Sequence, residues 1–506
     1  MALAIVYSRA TAGIDAPLVT VEVHLSNGMA GLNIVGLPET AVKESKDRVR
    51  SALMNANFEF PIKRITINLA PADLPKEGGR FDLPIALGIL AASRQIPPNV
   101  LAQYEFAGEL ALSGELRPIR GVLPLVLAAH AAKRTLVIPQ QNALEAALVE
   151  DAQVLSANHL LQVCAALKGN EQLPVCQLDQ SVIEDSSISD LADVKGQPFA
   201  KRALEIAAAG RHSLLFVGPP GTGKTMLATR LPGILPTLEE KEALEVAAIA
   251  SVSSKGFLPH QWKRIPFRSP HHSSSSAALV GGGRPPRPGE ISLAHHGILF
   301  LDEFPEFSRQ VLECLREPLE SGCITISRAA FQTAFPAQFQ LIAAMNPCPC
   351  GYAGSMMDEC QCSSEQVRRY MTKISGPLLD RIDMHVQVPR LRPEMLSTVA
   401  GKSVENSEMI KNRVIKARAY QYKRQQKYNH ALSVRELDQY CKLEAGAQKL
   451  LHTIMEKLNL SVRVYHRILK VARTIADLDE RDSLNEKQVS EALTYRYLDR
   501  MRSTAP

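Results

Sequence analysis

Hydrophobic and polar positions in the first third of the chain follow two different periods. Residues 21–25 and 64–69 alternate apolar with polar side chains, which is the period of a half-buried strand. Residues 84–92 and 123–132 are continuous apolar stretches of helical length that predict buried helices, and residues 135–139 predict a short strand after the second helix. This part of the chain therefore predicts a mixed α/β unit.

In the middle of the chain, apolar strands alternate with helical segments. Strands are predicted at residues 213–217, 297–301 and 338–345, and a helix is predicted to follow the first of them from Met226. Alternation of this kind argues for a parallel sheet with helices on both faces. We therefore expect an α/β core in this region.

The last part of the chain has few strand patterns and several helical ones. Residues 461–478 place an apolar stripe at helical spacing, and Ser483 with Glu486 forms a capping-box pattern that predicts the start of a further helix. Together the patterns divide the chain into an α/β unit over residues 1–168, a polar linker over residues 169–187, a sheet core over residues 188–391 and a helical unit over residues 392–506.

Composition and charge exclude few functions. Of the 506 residues, 45% are hydrophobic and 22% charged, as is usual for globular proteins, and the formal charge of +6 permits a nucleic-acid partner without requiring one. No apolar stretch approaches the roughly 18 residues of a membrane helix, and residues 1–8 lack the basic start of a signal peptide. We therefore expect a cytoplasmic protein without membrane contact.

A phosphate-binding loop (P-loop) joins the first central strand to its helix. It consists of Gly218, Pro219, Pro220, Gly221, Thr222, Gly223, Lys224 and Thr225. The glycines let backbone N–H groups close around nucleotide phosphates, Lys224 reaches the β and γ oxygens, and the Thr225 hydroxyl is a ligand for Mg²⁺. The loop therefore predicts ATP and Mg²⁺ as cofactors.

Polar residues follow the next two central strands. Asp302 and Glu303 come directly after residues 297–301, in the positions of a metal-holding acid and of a base that activates water. Asn346 follows the third strand, where its amide can hold the attacking water or sense the γ-phosphate, although an asparagine that only caps a turn is the alternative. With the P-loop, these residues predict hydrolysis of ATP.

Two arginines further along the chain are candidates for the same reaction. Arg381 follows a short helical turn, where an isolated arginine would form a surface ion pair but a ring ATPase would point it into the neighbouring subunit's site. Arg463 stands at the start of the predicted helix at residues 461–478 and can reach over the nucleotide, with Arg467 as the alternative. The other basic side chains of this helix predict a mostly solvated face.

These features resemble those of a known family. The P-loop, the two acids, Asn346 and the two arginines resemble the AAA+ ATPases of the magnesium-chelatase and MCM-like branch. Residues 268–272, 288–297 and 345–351 are more specific and, with the N-terminal unit, resemble the YifB/ComM family of magnesium chelatase-like proteins over essentially the whole chain. The resemblance implies an AAA+ P-loop parallel-sheet core with a C-terminal helical lid.

The same resemblance implies a function. Members of this family are expected to form hexameric rings that handle DNA, and those of the ComM type are linked to branch migration of recombination intermediates during natural transformation. It implies a homo-hexamer that binds single-stranded or branched DNA, with a recombinase as a candidate partner. It also implies a trans-acting finger at Arg381, a lid sensor at Arg463, and Gly196 and Gln197 beside the adenine, although the last two otherwise read as a turn.

The N-terminal unit resembles the Lon protease catalytic fold through residues 75–84, 108–115 and 135–139. We therefore expect the AAA+ core to be preceded by a Lon-protease-like α/β domain. In a gapless match, Arg80 stands at the position of the Lon serine nucleophile and Leu123 at that of its lysine base, and neither side chain can do that chemistry. The resemblance therefore predicts a scaffold or DNA-contacting domain without protease activity.

Four of the nine cysteines lie in one short segment, at Cys348, Cys350, Cys360 and Cys362. Two thiolate pairs on either side of a loop can give Zn²⁺ four sulfur ligands, although the one-residue spacing within each pair is tight and reduced loop cysteines are the alternative. Histidines also occur in pairs, at residues 271–272 and 295–296. Because neighbouring side chains on an extended segment point to opposite faces, we expect these pairs to have structural or DNA-loop roles.

Three segments are candidates for DNA contact. They are a predicted loop at residues 251–289 with six Lys or Arg, Arg284 among them, a predicted hairpin at residues 323–332 with Arg328 near its tip, and a stretch at residues 411–427 with seven Lys or Arg. Each is otherwise an ordinary loop, hairpin or solvated helix. The leading hypothesis is an ATP-driven DNA motor, and the alternatives are a chelatase-like ATPase that remodels a protein partner and an assembly scaffold.

Overall fold

The N-terminal part of the chain contains nine strands and six helices among the residues described. The computed structural model describes residues 2–177, 189–283, 286–328, 331–354, 359–391 and 405–499. The strands are β1 (Ala2–Arg9), β2 (Leu18–Ser26), β3 (Gly31–Val35), β4 (Arg64–Ala70), β5 (Tyr104–Phe106), β6 (Glu109–Leu110), β7 (Leu116–Arg117), β8 (Thr135–Pro139) and β9 (Val154–Ala157). The helices are α1 (Thr40–Lys43), α2 (Ser45–Asn55), α3 (Asp82–Ala92), α4 (Val122–Ala131), α5 (Ala143–Ala146) and α6 (Leu160–Leu167).

Seven of these strands form a mixed sheet in the order β3-β4-β2-β1-β5-β8-β9. The alternating side chains of β2 are buried on one face at Val19, Val21 and Val23, as the period of its sequence predicted. Every residue of α3 is buried, which explains why its sequence is apolar on all sides. The predicted strands and helices of this region are therefore confirmed.

The first part of the predicted linker belongs to the N-terminal unit. The Ser156 N–H donates to the Pro174 carbonyl, and the Cys176 N–H donates to the Val154 carbonyl, so residues 174–176 run beside β9. The N-terminal unit thus continues past residue 168. The remainder of the predicted linker, residues 178–187, lies outside the described residues.

The central part contains a parallel sheet and two insertions. Its strands are β10 (Leu214–Val217), β11 (Phe267–Arg268), β12 (Gly281–Gly282), β13 (Arg287–Pro288), β14 (Ile298–Leu301), β15 (Cys323–Arg328), β16 (Phe331–Pro336), β17 (Gln340–Met345) and β18 (Met384–Gln387). Its helices are α7 (Pro198–Gly210), α8 (Lys224–Arg230), α9 (Glu240–Val252), α10 (Ser276–Val280), α11 (Glu290–Leu293), α12 (Arg309–Cys314), α13 (Pro318–Ser321), α14 (Ser364–Met371) and α15 (Gly376–Leu379).

The central sheet has the order β11-β14-β17-β10-β18, and every neighbouring pair is parallel. All residues of β10, β14 and β17 are buried, because helices cover both faces of the sheet. Val217 pairs with Met345 and Leu301 pairs with Ala343, so the three strands end at one edge. The polar residues that follow each strand are thereby brought together.

The two insertions contain more regular structure than their sequences suggested. Within the predicted loop at residues 251–289, Ser251 and Val252 still belong to α9, α10 forms a helix, and β12 pairs with β13. The predicted hairpin is confirmed as β15–β16 and extends to Pro336. Gly281 of the first insertion lies against Ile326 of the hairpin, so the two insertions are in contact.

Helices dominate the C-terminal part. In the described residues 405–499 they are α16 (Ser407–Gln425), α17 (Val434–Tyr440), α18 (Ala445–Lys457), α19 (Val462–Leu478) and α20 (Glu486–Thr494). Ser461 caps α19, which confirms that predicted helix. The predicted capping box is wrong, because the Ser483 hydroxyl donates to Glu444 and Asn485 with Gln488 caps α20 instead.

The basic side chains of α19 are not a solvated face, contrary to expectation. Arg473 is buried and pairs with Asp477 at 2.9 Å, and the Lys470 ammonium donates to the His430 carbonyl at 2.8 Å. α19 packs against α7, α16 and α20, so more than its apolar stripe is covered. Of its four Lys and Arg residues, Arg463 is the exposed one.

The basic stretch at residues 411–427 forms most of α16, and its arginines bind the rest of the protein. Arg413 pairs with Glu205 at 2.5 Å, and Arg424 pairs with Asp477 at 2.6 Å. The Arg418 guanidinium donates to the Ala208 carbonyl at 2.7 Å. Arg413 and Arg418 therefore join the lid to α7 of the core, whereas Arg424 joins two helices of the lid.

The N-terminal unit packs on α9 of the central part. Gly121 donates its N–H to the Ser251 carbonyl at 3.1 Å, and Leu123 is fully buried beside it. Arg80 is also buried, and its guanidinium donates to the Arg120 carbonyl at 3.0 Å. The positions matched to the Lon nucleophile and base therefore lie inside the molecule. Among the described residues, no helix has both the length and the apolar character to cross a membrane.

Candidate active site

The P-loop lies at the carboxyl edge of the central sheet, between β10 and α8. Lys224 is buried, and its ammonium donates to the carbonyl oxygens of Gly218 at 2.7 Å and Pro219 at 2.8 Å. It also donates to Oδ1 of Asn346 at 3.1 Å. Burial lowers the pKa of Lys224 to about 8, against the opposing effect of the Asp302 carboxylate.

Thr225 and Asp302 form the second contact of the site. The Thr225 hydroxyl donates to Oδ2 of Asp302 at 2.6 Å, while Oδ1 of Asp302 accepts the Glu303 N–H at 2.9 Å. Hydroxyl and carboxylate oxygens are the protein ligands that Mg²⁺ accepts, usually beside phosphate oxygens. These two residues therefore fit a Mg²⁺ ion, which would neutralise charge on bound phosphates.

Sheet order explains how Asn346 meets Lys224. β17 lies between β10 and β14, so the residue that follows β17 stands between the P-loop and Asp302. Gly351, five residues later, packs against Pro220 of the P-loop. A side chain there would lie 2.7 Å from Cδ of Pro220, and its φ of 91° also favours glycine.

The carboxylate of Glu303 has a partner that sequence reasoning did not assign to the site. Nδ1 of His272 lies 3.0 Å from Oε2 of Glu303, and both side chains are partly exposed. His272 follows β11, which borders β14 in the sheet, so two neighbouring strand ends bring the pair together. The sequence signalled this residue through the histidine doublet and through the family-like stretch at residues 268–272, but neither assigned it to the active site.

The predicted geometry of the histidine pairs is wrong. The rings of His271 and His272 have centroids 4.1 Å apart, and those of His295 and His296 are 3.9 Å apart. Neither pair lies in a strand, so its side chains do not alternate between faces.

His295 and His296 both form a hydrogen bond with Glu245, and this arrangement does not fit a metal ion. Both Nε2 atoms face Oε2 of Glu245, at 3.1 and 2.8 Å. Nδ1 of His295 accepts the Gln338 N–H at 3.0 Å, so the neutral ring carries its proton on Nε2 and donates it to Glu245. Burial lowers the pKa of His295 to about 4, which keeps that ring neutral.

The charges of three arginines act on Glu320, which lies on α13 shortly before the β15–β16 hairpin. Arg381 is buried, pairs with Oε1 of Glu320 at 2.6 Å and donates to the Pro377 carbonyl at 2.7 Å. The hydrogen bond from Arg381 lowers the pKa of Glu320, and the charges of Arg463 and Arg467 lower it further. Both arginines predicted to act on nucleotide therefore influence the same carboxylate.

Comparison with known proteins identifies the family. The descriptions "Subunit ChlI of Mg-chelatase", "Magnesium chelatase, subunit ChlI" and "Magnesium chelatase, subunit ChlI C-terminal" match residues 21–142, 190–396 and 404–496. The chain is 53% identical over 509 residues to "Competence protein ComM" of Haemophilus influenzae, covering 99% of both. It is 51% and 50% identical over 502 residues to "Uncharacterized protein YifB" of Salmonella typhimurium and Escherichia coli, covering 99% of this chain and 98% of each.

The chain belongs to the YifB/ComM family. Its fold is that of the magnesium chelatase-like AAA+ ATPases, a parallel α/β core with a C-terminal helical region, as the sequence predicted. Use of ATP and Mg²⁺ is implied by this type of protein.

Arg467, the second candidate for the lid sensor, already forms an ion pair within the protein. It pairs with Oδ1 of the buried Asp383 at 2.7 Å, and Oδ2 accepts the Ser213 N–H at 2.9 Å. Although burial acts in the opposite direction, Arg467 and His212 hold the pKa of Asp383 far below its usual range. In this member of the YifB/ComM family, Arg467 therefore joins the lid to the base of β18.

Gly196 and Gln197 precede α7 and face the segment that leaves β18. The Gln197 side-chain amide donates to the Pro389 carbonyl at 2.7 Å, and its backbone is left-handed with φ of 56°. A side chain at Gly196 would lie 2.9 Å from Leu391. Their predicted place beside the adenine stays a prediction.

Some of the basic residues proposed for DNA contact are already neutralised. Arg268 makes two hydrogen bonds to Glu290, at 2.6 and 2.7 Å, and Lys263 lies 3.7 Å from Glu240. Arg284 and the side chain of Arg328 lie outside the described residues.

The four predicted cysteine ligands do converge, with sulfur atoms that all lie within 4.8 Å of one another.

Proposed function

We propose that this protein is an ATP-driven motor that acts on DNA as a homo-hexamer and promotes branch migration or unwinding of recombination intermediates during natural transformation. The proposal starts from the similarity to a competence protein, ComM of Haemophilus influenzae, which covers 99% of both chains. Because DNA and ATP are both present in the cytoplasm, the proposal includes the predicted cytoplasmic location. A recombinase remains the candidate protein partner.

In the proposed reaction, each residue of the site has one role. Lys224 holds the β- and γ-phosphates, Thr225 and Asp302 hold Mg²⁺, Glu303 accepts a proton from the attacking water, and Asn346 aligns that water against the γ-phosphate. The contacts of Lys224 with Asn346 and of Thr225 with Asp302 support this assignment. A zinc ion at the four clustered cysteines belongs to the proposal as a structural ion.

The proposal of a ring is supported by one observation, which is that the charged groups lie at two separate positions in the protomer. Lys224, Asp302 and Asn346 meet at the P-loop, whereas Arg381 pairs with Glu320 in its own protomer. Phosphoryl transfer needs a cation against the charge that develops in the transition state, and a neighbouring protomer can supply it. Arg381 is therefore proposed to act across the subunit interface, and Arg463 is proposed as the lid sensor that reaches over the nucleotide.

The two insertions are the proposed DNA-contacting elements. β15–β16 follows Glu320, the partner of Arg381, and Gly281 of the other insertion packs on the hairpin. A change at the arginine can therefore reach the hairpin through one short helix, α13. Such a connection is what a motor needs to convert hydrolysis into movement along DNA.

A second candidate function rests on the family descriptions. All three describe magnesium chelatase subunits, which favours an ATPase that remodels a protein partner without translocating on DNA. The two candidates differ in what stimulates the ATPase.

ATP turnover measured with and without DNA distinguishes these functions. We expect the full-length protein to hydrolyse ATP, to be stimulated by single-stranded or four-way-junction DNA, and to move the branch point of a labelled junction. Glu303→Gln should bind ATP and the junction but leave the branch point in place. A wild-type ATPase that no DNA stimulates, or a junction that stays intact, would overturn the DNA motor.

A further inference from the structure

Three of the four clustered cysteines have a spacing close to that of ligands around a single tetrahedral ion, and the sulfur of the fourth, Cys362, lies within 4.8 Å of the others. Their sulfur atoms are 3.2 Å apart between Cys348 and Cys350, 3.7 Å between Cys348 and Cys360, and 3.6 Å between Cys350 and Cys360. A Zn–S bond of about 2.3 Å gives a tetrahedron with edges of about 3.8 Å. An iron–sulfur cluster places several irons and sulfides between its cysteines, which would hold them further apart.

Two separate elements present these sulfur atoms. Cys348 and Cys350 follow β17, and Cys348 is fully buried, whereas Cys360 and Cys362 precede α14, whose start is fixed by a capping box between Ser363 and Gln366. The Ala353 N–H donates to Sγ of Cys348 at 3.2 Å. Backbone donors of this kind stabilise thiolates and orient them toward a metal.

Both elements also touch the phosphate end of the active site. Asn346, the partner of Lys224, lies two residues before Cys348, and Gly351 packs against Pro220 of the P-loop. Tyr370, on α14, is buried in the same hydrophobic cluster as Met345, the residue that directly precedes Asn346. Whatever ties the two cysteine pairs together therefore also fixes the turn that carries Asn346.

We propose that Cys348, Cys350, Cys360 and Cys362 bind one Zn²⁺ as thiolates, and that this ion holds Asn346 in place against the P-loop. The four thiols release their protons to solvent when the ion binds. Metal binding stands independently of the proposed ATPase, whereas the positioning of Asn346 rests on it. Asn346 touches the substrate in this scheme, and the cysteines act through Asn346.

Metal content of the full-length protein, purified without a polyhistidine tag, tests the site. We expect about one zinc per chain, and less than about 0.3 after the double change Cys360→Ser and Cys362→Ser. The matched control changes Cys314 and Cys323, which are partly exposed and lie outside the cluster, and it should keep its zinc. Cobalt in place of zinc should give the thiolate charge-transfer and visible bands of a tetrahedral Co²⁺ site.

Three results would overturn the metal site. They are wild-type protein with less than about 0.3 zinc per chain, unchanged zinc after the Cys360 and Cys362 substitutions, and disulfides in place of thiols. The last is measured by titrating the denatured protein without reductant in the presence of a chelator. All nine cysteines should react as thiols, and a loss of two or four would indicate that the pairs are oxidised.

Steady-state kinetics tests the positioning of Asn346. The zinc-free double variant should remain folded and oligomeric, bind ATP normally, and lose about tenfold or more in kcat, because one aligned polar group contributes at least that much. In an Asn346→Ala background the same cysteine changes should cost less than about twofold more, since their effect passes through Asn346.

The two halves of the proposal fail in different ways. Full ATP turnover by a zinc-free variant, or full additivity with Asn346→Ala, would remove the positioning role and leave the metal site intact. Absence of ATPase activity in the zinc-loaded wild-type protein would instead overturn the proposed function.

Discussion

At the scale of single residues, the site is made of short-range motifs that meet through strand order. Lys224, Asp302 and Asn346 each follow a buried strand, and a sequence shows such strand ends directly. What they touch is harder to read. The contact between His272 and Glu303 joins residues 31 positions apart through two neighbouring strands, and no local pattern encodes it.

The lowered pKa of Lys224 predicts that ATP binding is coupled to the uptake of a proton. Its pKa of about 8 means that a substantial fraction of the protein carries neutral Lys224 above pH 8, and phosphate charge favours the protonated form. ATP affinity should therefore be full below pH 8 and fall as the pH rises above it. Calorimetry with a non-hydrolysable analogue, in two buffers of different ionisation enthalpy, should detect uptake of about half a proton at pH 8.

A control at pH 7 separates this linkage from other groups. Lys224 is then largely protonated before the nucleotide binds, so proton uptake should nearly vanish. Equal uptake at both pH values would assign the proton to a different residue.

His272 is expected to restrain Glu303 in the absence of DNA. The contact with His272 occupies a carboxylate oxygen that is proposed to accept a proton from water, and a contact this exposed contributes at most about 1 kcal/mol. His272→Ala should therefore raise DNA-free kcat by about two- to fivefold and reduce the further stimulation by DNA. ATPase assays with and without DNA measure both effects.

The neighbouring histidine supplies the control for that experiment. His271 makes its side-chain hydrogen bond to Ser273, at 2.8 Å, so His271→Ala should leave DNA-free turnover unchanged. If His272→Ala instead falls to the rate of Glu303→Gln, His272 orients the base and does not restrain it.

At the scale of elements, the sequence predicted which segments form helices and strands better than it predicted how their surfaces are used. The apolar stripe of α19 indicated one buried face, yet α19 also buries Arg473 and places Arg467 on Asp383. A charged residue on a helix indicates a solvent-exposed face only when no oppositely charged residue of another element lies close to it. The partner of Arg467 lies 84 positions away, so the sequence alone could not reveal it.

Arg467 and Arg463 should separate stability from catalysis. Arg467→Ala leaves the buried carboxylate of Asp383 without its main cation, and loss of one partner of such a pair costs about 3 kcal/mol. Its melting temperature should fall by several degrees. Arg463→Ala removes an exposed side chain, so it should melt like the wild type and lose ATP turnover.

Thermal unfolding and ATPase rates of the two variants decide the assignment. A stable Arg467→Ala protein with low turnover, beside a fully active Arg463→Ala protein, would exchange the two roles.

At the scale of the whole molecule, the proposed ring makes each active site the property of two protomers. Glu303 lies with its own P-loop neighbours, while Arg381 is held by Glu320 near the hairpin. One chain therefore contributes the base to one site and the finger to another. A sequence can suggest this division from motifs, but only mixed assemblies can measure it.

Mixing two inactive variants should restore activity if sites are shared. Glu303→Gln lacks only the base and Arg381→Ala lacks only the finger, so a site is intact wherever an Arg381→Ala protomer receives its finger from a Glu303→Gln neighbour. Random mixing in equal amounts places the two in that order at about a quarter of the interfaces of a closed ring, so about a quarter of wild-type ATPase activity should return. A mixture of Glu303→Gln with Lys224→Ala is the matched control, because both changes damage the protomer's own half of the site and no intact interface can form. Recovery in neither mixture, from protein shown to co-assemble, would mean that Arg381 serves its own protomer and that the ring is not needed for chemistry.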